Sequence, residues 1–295
     1  MIKRIFSCFL FPLLLLTHFA SAADWKALHE QADAMNLKEA LARVSSSPDS
    51  QDALYLLGLV CLNEYKETEA QSAFTKILAL NPRSIPAFWG VAEVARRRHA
   101  LDEAEEALTK IIAEEASFSP AYNSLAYIRY LKFDFQGSVK LAQKVLAQGE
   151  DRVDLSNYAL AYLLVAAGKG MLAHYGGPVV KIVHGTAIFP TLRKAHELKP
   201  ESAAVYFGLG SFYLLAPRMI GGDIAKAQLY LEKAAEIDPH LAGVYVRLGQ
   251  IYKLKGDSQK YQQYLGKALE IDPGNEIALD IQNGSCKFIC IDRQQ

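Results

Sequence analysis

Charge of one sign is what this sequence most plainly lacks. Lys and Arg together number 32, as do Asp and Glu, which leaves a formal net charge of zero over 295 residues. Proteins that bind nucleic acid carry a basic excess or a basic stripe, and no basic run here is longer than Arg96-Arg97-Arg98. We interpret that triplet as a solvated helix face and expect no nucleic-acid partner.

The sequence also has few cysteines, four in all, and Cys8 belongs to an N-terminal segment described below. The odd number that remains excludes a fold framed by disulfides. Cys61 falls on an apolar helical face and is expected to be a small core residue. Cys286 and Cys290 are close enough in sequence to form a disulfide in an oxidising compartment, and two free thiols are the alternative.

Catalytic and metal-binding motifs are absent as well. There is no G-x-S-x-G, no pair of histidines four residues apart, and no pair of carboxylates that stands out from ordinary helix surface. His174 and His184 lie in one glycine-rich segment, so a metal site or a hydrolase built on them is a minor alternative. We therefore predict a protein that is not an enzyme and holds neither a cofactor nor a metal ion.

Two glycine clusters resemble phosphate-binding loops only superficially. Gly208-Leu209-Gly210 follows no predicted strand and has no third glycine at the spacing of a dinucleotide fingerprint. Gly221-Gly222-Asp223 precedes a predicted helix, for which Asp223 is a natural N-cap. A helix N-terminus attracts anions, but no Lys-Ser or Lys-Thr follows to hold a phosphate. The second cluster is interpreted as a spacer between two helices.

The first 22 residues have the pattern of a secretory signal peptide. Lys3 and Arg4 precede an apolar stretch over residues 5–16, and Ala20-Ser21-Ala22 is typical of a cleavage site. The stretch is shorter than the ~20 apolar residues that span a bilayer, although an uncleaved anchor is the alternative. No later segment is apolar enough to span. We predict cleavage after Ala22 and a mature chain in the periplasm or outside the cell.

An internal period of 34 residues organises most of the remaining chain. Gly58, Ala92 and Ala126 are each 34 residues apart, as are Pro239 and Pro273. Small residues let two antiparallel helices approach closely, and a proline ends the second helix of each pair. A single helix pair cannot cover its own apolar face, so neighbouring pairs must stack.

The phrases YFGLGSFY (206–213) and VYVRLGQIY (244–252) resemble the tetratricopeptide repeat family, whose pattern is W-x2-L-G-x2-Y, then A-x3-F, then P. The resemblance implies an all-α, right-handed superhelical solenoid of antiparallel helix pairs. We predict a helical cap over residues 23–50, about six repeats over 51–275, and a closing helix and tail over 276–295. Extra residues near 168–190 and 216–223 are expected to form loops between the two helices of their repeats.

In the family that this chain resembles, the first helix of each repeat lines a concave groove where ligands bind. Carried onto this sequence, the groove residues are Tyr55, Trp89, Arg96, Asn123, Tyr127, Tyr130, Tyr158, Tyr162 and Phe207. Aromatic side chains combine a large contact area with a polar tip, which suits a peptide or an apolar ligand. The alternative is that these residues pack against adjacent helices, or against the long insertion folded back into the groove.

Two functions follow from these features. The first is an exported, non-enzymatic scaffold that binds a protein or peptide in the aromatic groove. The second rests on the segment from Gly208 to Pro239, which is similar to a part of the tetratricopeptide component of TRAP-type periplasmic transporters. That resemblance implies a small-molecule carrier or an accessory component of a periplasmic transport system, with an apolar small molecule as ligand.

Overall fold

The computed structural model describes residues 24–289, in which all regular structure is helical. The predicted signal peptide and Cys290 lie outside the described residues. The helices are α1 (Trp25–Asp33), α2 (Leu37–Ser46), α3 (Gln51–Asn63), α4 (Glu67–Leu80), α5 (Ile85–Arg97), α6 (Leu101–Glu114), α7 (Ser119–Leu131), α8 (Phe135–Gln148), α9 (Leu155–Tyr175), α10 (Pro178–Leu198), α11 (Ala203–Leu215), α12 (Ile224–Ile237), α13 (Ala242–Lys255), α14 (Ser258–Ile271) and α15 (Glu276–Gln282). The predicted all-α helical solenoid is confirmed.

Local sequence signals set where these helices begin and end. Ser50, Ser84 and Asp154 are N-caps whose side chains accept a hydrogen bond from the backbone N–H three residues ahead, which satisfies one of the free donors of the first turn. Asp238 and Asp272 are the C-caps of α12 and α14, and a proline follows each of them. The residue before a proline avoids the helical conformation, so both helices stop there.

The packing of Phe74 explains why glycine stands at positions 58 and 90. This ring is fully buried between α3 and α5, and a Cβ at Gly58 or at Gly90 would lie 2.4 Å from it. Only glycine leaves room for the ring at these two places. The spacing of small and large residues therefore fixes how closely successive repeats stack.

The expectation of a loop at 168–190 is wrong. The extra residues extend both helices of the pair, so that α9 and α10 are each 21 residues long, whereas α7 has 13. The chain reverses only at Gly176-Gly177, and Pro178 begins α10, where its missing N–H costs nothing. Apolar and small residues continue the helical pattern on both sides of that turn. The inserted residues before and after the turn therefore favour helix over loop.

The second insertion is a short spacer, as predicted. A single 3₁₀ turn spans Arg218–Ile220, and Gly221 follows it with a left-handed φ of 109°. Asp223 caps α12 by accepting from the Lys226 N–H. Gly210 lies against Leu231, where a Cβ would be 2.7 Å from the leucine Cγ. Both glycine clusters therefore serve helix packing and chain reversal.

The apolar core runs along the solenoid between the helix pairs, and Cys61 lies in it as a buried free thiol, as expected. Cys286 is disulfide-bonded. Since Cys290 lies outside the described residues, the Cys286–Cys290 pairing stays a prediction. Within residues 24–289, no helix combines the length and the apolar character that a membrane span needs.

Candidate functional site

The solenoid closes on itself along a line of contacts that we call the seam. Tyr65, His99 and Phe133 occupy the same place in three successive repeats, in the turn between first and second helices, and all have a positive φ of 57–65°. Each reaches the far end of the chain. The Tyr65 hydroxyl donates to Asp238 at 2.5 Å, and the Phe133 ring lies 4.7 Å from that of Phe288.

His99 makes the most polar contact of the seam. Its Nδ1 lies 2.9 Å from Glu276 and its Nε2 lies 2.8 Å from Asp272. Only an imidazolium can donate to both carboxylates at once. Burial opposes that charge, but the two hydrogen-bonded carboxylates outweigh it and raise the pKa of His99. Gly274 leaves room for the ring, since a Cβ there would lie 2.2 Å from the imidazole.

The inside of the superhelix, bordered by the seam, forms a cavity of about 2540 Å³ that is partly open to solvent. Its walls come from the first helices of the repeats, from α10, and from the turns that meet at the seam. Ligand sites for drug-sized molecules typically occupy ~300–1,000 Å³. The cavity is therefore large enough for a small molecule with an extended body.

The wall formed by α9, α10 and α11 is apolar. Leu164 and Ala167 contribute from α9, Ile188 and Leu192 from α10, and Phe212 from α11. The helices α9 and α10 are long because of the insertion near 168–190, which thus builds part of this wall. The sequence left open that the long insertion folds back into the groove and fills it. In the structure the insertion lines the cavity and does not fill it.

Another part of the cavity wall carries a charged network on α5 and α7. Glu93 is buried and accepts hydrogen bonds from Arg96 at 2.5 and 2.8 Å, from Arg97 at 3.1 Å and from the Ser124 hydroxyl at 2.8 Å. Burial alone would raise the pKa of Glu93, but these partners outweigh it and lower the pKa to about 2. The Arg96 guanidinium also lies over the Tyr127 ring, 4.8 Å from its centroid.

The N-terminal part of the groove is occupied by α1. His29 lies 2.9 Å from the Tyr55 hydroxyl and 3.3 Å from the side-chain nitrogen of Asn157, and its ring is 5.4 Å from that of Trp89. Because the Asn157 amide donates to Nδ1, His29 is neutral and donates from Nε2. Burial lowers the pKa of His29, which agrees with the neutral form.

The groove residues predicted from the sequence divide into two sets. Tyr55 and Trp89 are only 2% and 6% exposed beneath α1, so the expectation that they meet a ligand is not met in this arrangement. Tyr158 and Tyr162 pack edge to face with each other, at 5.5 Å, away from the cavity. The residues that the structure does bring together at the cavity are Arg96, Asn123, Tyr127, Tyr130 and Phe207.

Sequence reasoning missed several residues of this site. Arg247 lines the cavity from α13 although it is 4% exposed, and its only signal in the sequence is a cation inside the apolar run VYVRLGQIY. The seam residues Tyr65 and His99 gave no signal, because their partners lie more than 170 residues away. His174 and His184 join no group of three potential metal ligands among the described residues.

Comparison with solved structures identifies the class of fold. A tetratricopeptide repeat protein from Parabacteroides merdae matches with a TM-score of 0.52 at 15% identity, over 88% of this chain and 98% of that one. Human IFIT1 matches with a TM-score of 0.57 at 16% identity, over 79% of this chain and 53% of that one. The Cut9 and Hcn1 complex of APC/C matches with a TM-score of 0.54 at 20% identity, over 87% and 47%. These similarities show the fold alone: a tetratricopeptide repeat solenoid.

The family follows from the sequence itself. The model of the TRAP transporter T-component family matches residues 134–285, slightly more than half of the chain. This chain therefore belongs to the TRAP transporter T-component family, as the resemblance of the Gly208–Pro239 segment suggested. The matched region contains the long α9–α10 pair and the apolar wall of the cavity. A comparison with curated protein sequences gives no significant match.

Proposed function

We propose that this protein is a non-enzymatic accessory component of a TRAP-type transport system outside the cytoplasm, and that its cavity holds a small molecule with an apolar body. The observation that carries the proposal is the cavity of about 2540 Å³ with the apolar α9–α11 wall. Membership of the T-component family supports the transport role. The predicted signal peptide supports the location.

A dye-binding experiment tests this proposal. The neutral fluorophore N-phenyl-1-naphthylamine brightens when it enters an apolar site, so the wild-type protein is expected to bind it saturably. Ala167→Trp places a large ring in the cavity and should weaken binding at least tenfold. Gln262→Trp, on the exposed face of α14, should leave binding unchanged. Equal binding by all three proteins would refute the proposal.

Peptide binding in the groove, the first function considered from the sequence, has less support because α1 covers Tyr55 and Trp89. A surface on α10 favours a protein partner instead. Val179, Ile182 and Val183 are 73%, 66% and 60% exposed, and their spacing puts them on one helical face. Exposed apolar patches commonly mark interaction sites. No acidic residue occurs over residues 155–196, so the surface suits an apolar partner with an acidic rim.

We propose that this surface of α10 contacts another component of the same transporter. Co-purification of the other TRAP transporter components of the same organism provides the test. Ile182→Asp should abolish their recovery, whereas Gln262→Asp, at an exposed position of another helix, α14, should retain most of it. Undiminished recovery with Ile182→Asp would exclude this surface as the docking site.

A further inference from the structure

Arg247 is a buried guanidinium with most of its hydrogen-bonding capacity unused. It projects from α13, 4% exposed, and its Nη1 donates to Gln250 at 2.8 Å and, at the long distance of 3.5 Å, to the Ile289 carbonyl. Nε has no hydrogen-bond partner within the described part of the chain. A guanidinium offers five N–H donors in a fork that matches a carboxylate.

The carboxylates on this side of the cavity are already held by other groups. Glu93 is paired with Arg96 and Arg97, while Asp272 and Glu276 are paired with His99. Among residues 24–289, Arg247 forms no ion pair. Leaving a buried charge without a counter-ion is unfavourable unless a ligand supplies one. The same burial lowers the pKa of Arg247.

The surroundings of Arg247 combine a second unpaired polar atom with apolar surface. On α11, the Phe207 ring packs against Gly243 of α13, where a Cβ would lie 3.1 Å from the ring. One turn further along each helix are Ser211 and Arg247, and both line the cavity. The Ser211 hydroxyl is buried and also has no hydrogen-bond partner among the described residues. Met171 and Leu164 of α9 lie on the adjoining wall.

From this arrangement we infer that the cavity binds an amphipathic anion, with its carboxylate or similar monoanionic head at Arg247 and Ser211 and its apolar chain along the α9–α11 wall. The inference rests on the proposed function and specifies the ligand class of the same cavity. Arg247 supplies two N–H donors in the plane of the head group, and Ser211 supplies a third donor. The apolar chain contributes affinity through the hydrophobic effect, which depends on the area removed from water and not on orientation.

Two probes that differ only in the head group test the inference. Dodecanoate and dodecanol have the same chain, and each is titrated as a competitor of N-phenyl-1-naphthylamine. We expect dodecanoate to bind about 10- to 100-fold more tightly than dodecanol, the range expected for a charge-assisted hydrogen bond. Arg247→Gln should remove that advantage. Lys260→Gln, an exposed cation of α14 outside the cavity, should preserve it.

Controls separate the ways in which the experiment can fail. The comparison of the two probes on the wild-type protein needs no variant, so it stands even if Arg247→Gln does not fold. Equal affinity for the two probes would overturn the inference while leaving the proposed function in place. If neither probe competes and the dye itself does not bind, the proposed function fails as well.

Asp292 is the one acidic side chain of the sequence after residue 289; it lies outside the described residues and is tested directly. Asp292→Asn is expected to leave the affinity for dodecanoate unchanged, because the inference assigns Arg247 to the ligand. A gain of tenfold or more would mean that Asp292 occupies Arg247 in the free protein, and it would overturn the inference that this guanidinium is open to ligand.

Discussion

At the scale of single residues, the cavity is stabilised by charges that neutralise one another in pairs and triplets. Glu93 is the clearest case, because one buried carboxylate holds two arginines and a serine. Such a network is costly to break at one member, since the remaining charges stay buried without a partner. Arg247 differs from it only in lacking an anion within the described chain.

Removal of the Glu93 charge tests the importance of this network. Glu93→Gln leaves the buried Arg96 without its paired carboxylate and Arg97 with only the longer pair to Glu67 at 3.8 Å, and is expected to lower the free energy of unfolding by ~3–5 kcal/mol, as measured by urea denaturation. Glu106→Gln removes a carboxylate from a fully exposed pair with Lys110 and should leave the urea midpoint unchanged. Similar midpoints for both variants would contradict the account of the network.

The charge of Glu93 should also make the stability of the protein depend on pH in acidic solution. The pKa of Glu93 is lowered from 4.5 to about 2, so its stabilising contribution is complete above pH 4.5 and is lost as the pH falls towards 2. Wild type should therefore lose stability over this interval by more than Glu93→Gln does. Parallel pH profiles of the two proteins would show that the Glu93 charge contributes nothing.

Glycine packing offers a matched pair of substitutions. Gly90→Ala would place a Cβ 2.4 Å from the Phe74 ring, so the free energy of unfolding should fall by ~1–3 kcal/mol. Gly266 in α14 faces open space, and Gly266→Ala should raise it by ~0.5–1 kcal/mol, because alanine favours the helix. Thermal or urea unfolding measures both. Effects of the same sign would contradict the assigned contacts.

At the scale of helices, α1 determines how much of the concave groove is open. It covers Tyr55 and Trp89, which the repeat pattern alone places on a ligand-binding face. That pattern reports which side of a helix faces inward. It does not determine how the helical cap expected over residues 23–50 packs onto that side.

Tryptophan fluorescence detects the packing of α1. Trp25→Phe leaves Trp89 as the only tryptophan, buried and with little access to quencher. In that background Leu28→Asp, which puts a charge at a buried position of α1, should detach the helix, shift the emission to longer wavelength and increase acrylamide quenching. Glu30→Asp, at an exposed position, should do neither. Unchanged quenching in the Leu28→Asp protein would show that α1 does not cover Trp89.

The long insertion shows what the repeat period can predict from the sequence and what it cannot. The broken spacing correctly places extra residues near 168–190, but it does not determine their conformation. They form helix because Gly176-Gly177 is the only strong break there, and Pro190 is accommodated within α10. The cavity wall follows from that extension. Sequence reasoning thus found the solenoid and five of the cavity residues, whereas Arg247 and the seam depend on the curvature of the whole superhelix.

At the scale of the whole molecule, the seam makes an open solenoid into a closed ring, and His99 makes that closure sensitive to pH. The carboxylates that face its ring are Asp272 and Glu276, and Arg96 acts on Glu276 from the same side. Because the pKa of His99 is raised above 6.5, its contribution is complete below pH 6.5 and is lost as the pH rises through the pKa of the folded protein.

Closure is therefore expected to weaken in mildly alkaline solution. Small-angle scattering of wild type should show a larger radius of gyration at pH 9 than at pH 6, or a reduced urea midpoint if the ring stays closed until unfolding. His99→Gln should lose this difference, whereas His174→Gln, an exposed histidine away from the seam, should keep it. A wild-type protein with no pH dependence beyond that of His99→Gln would exclude His99 as the sensor.

Native mass spectrometry detects directly whether the superhelix holds an amphipathic molecule in its cavity. The mature protein is purified without detergent, incubated with excess dodecanoate and desalted. We expect a one-to-one complex for wild type that is absent from Ala167→Trp and is lost from wild type on denaturation. The polypeptide mass alone for wild type, or equal ligand retention by Ala167→Trp, would contradict it.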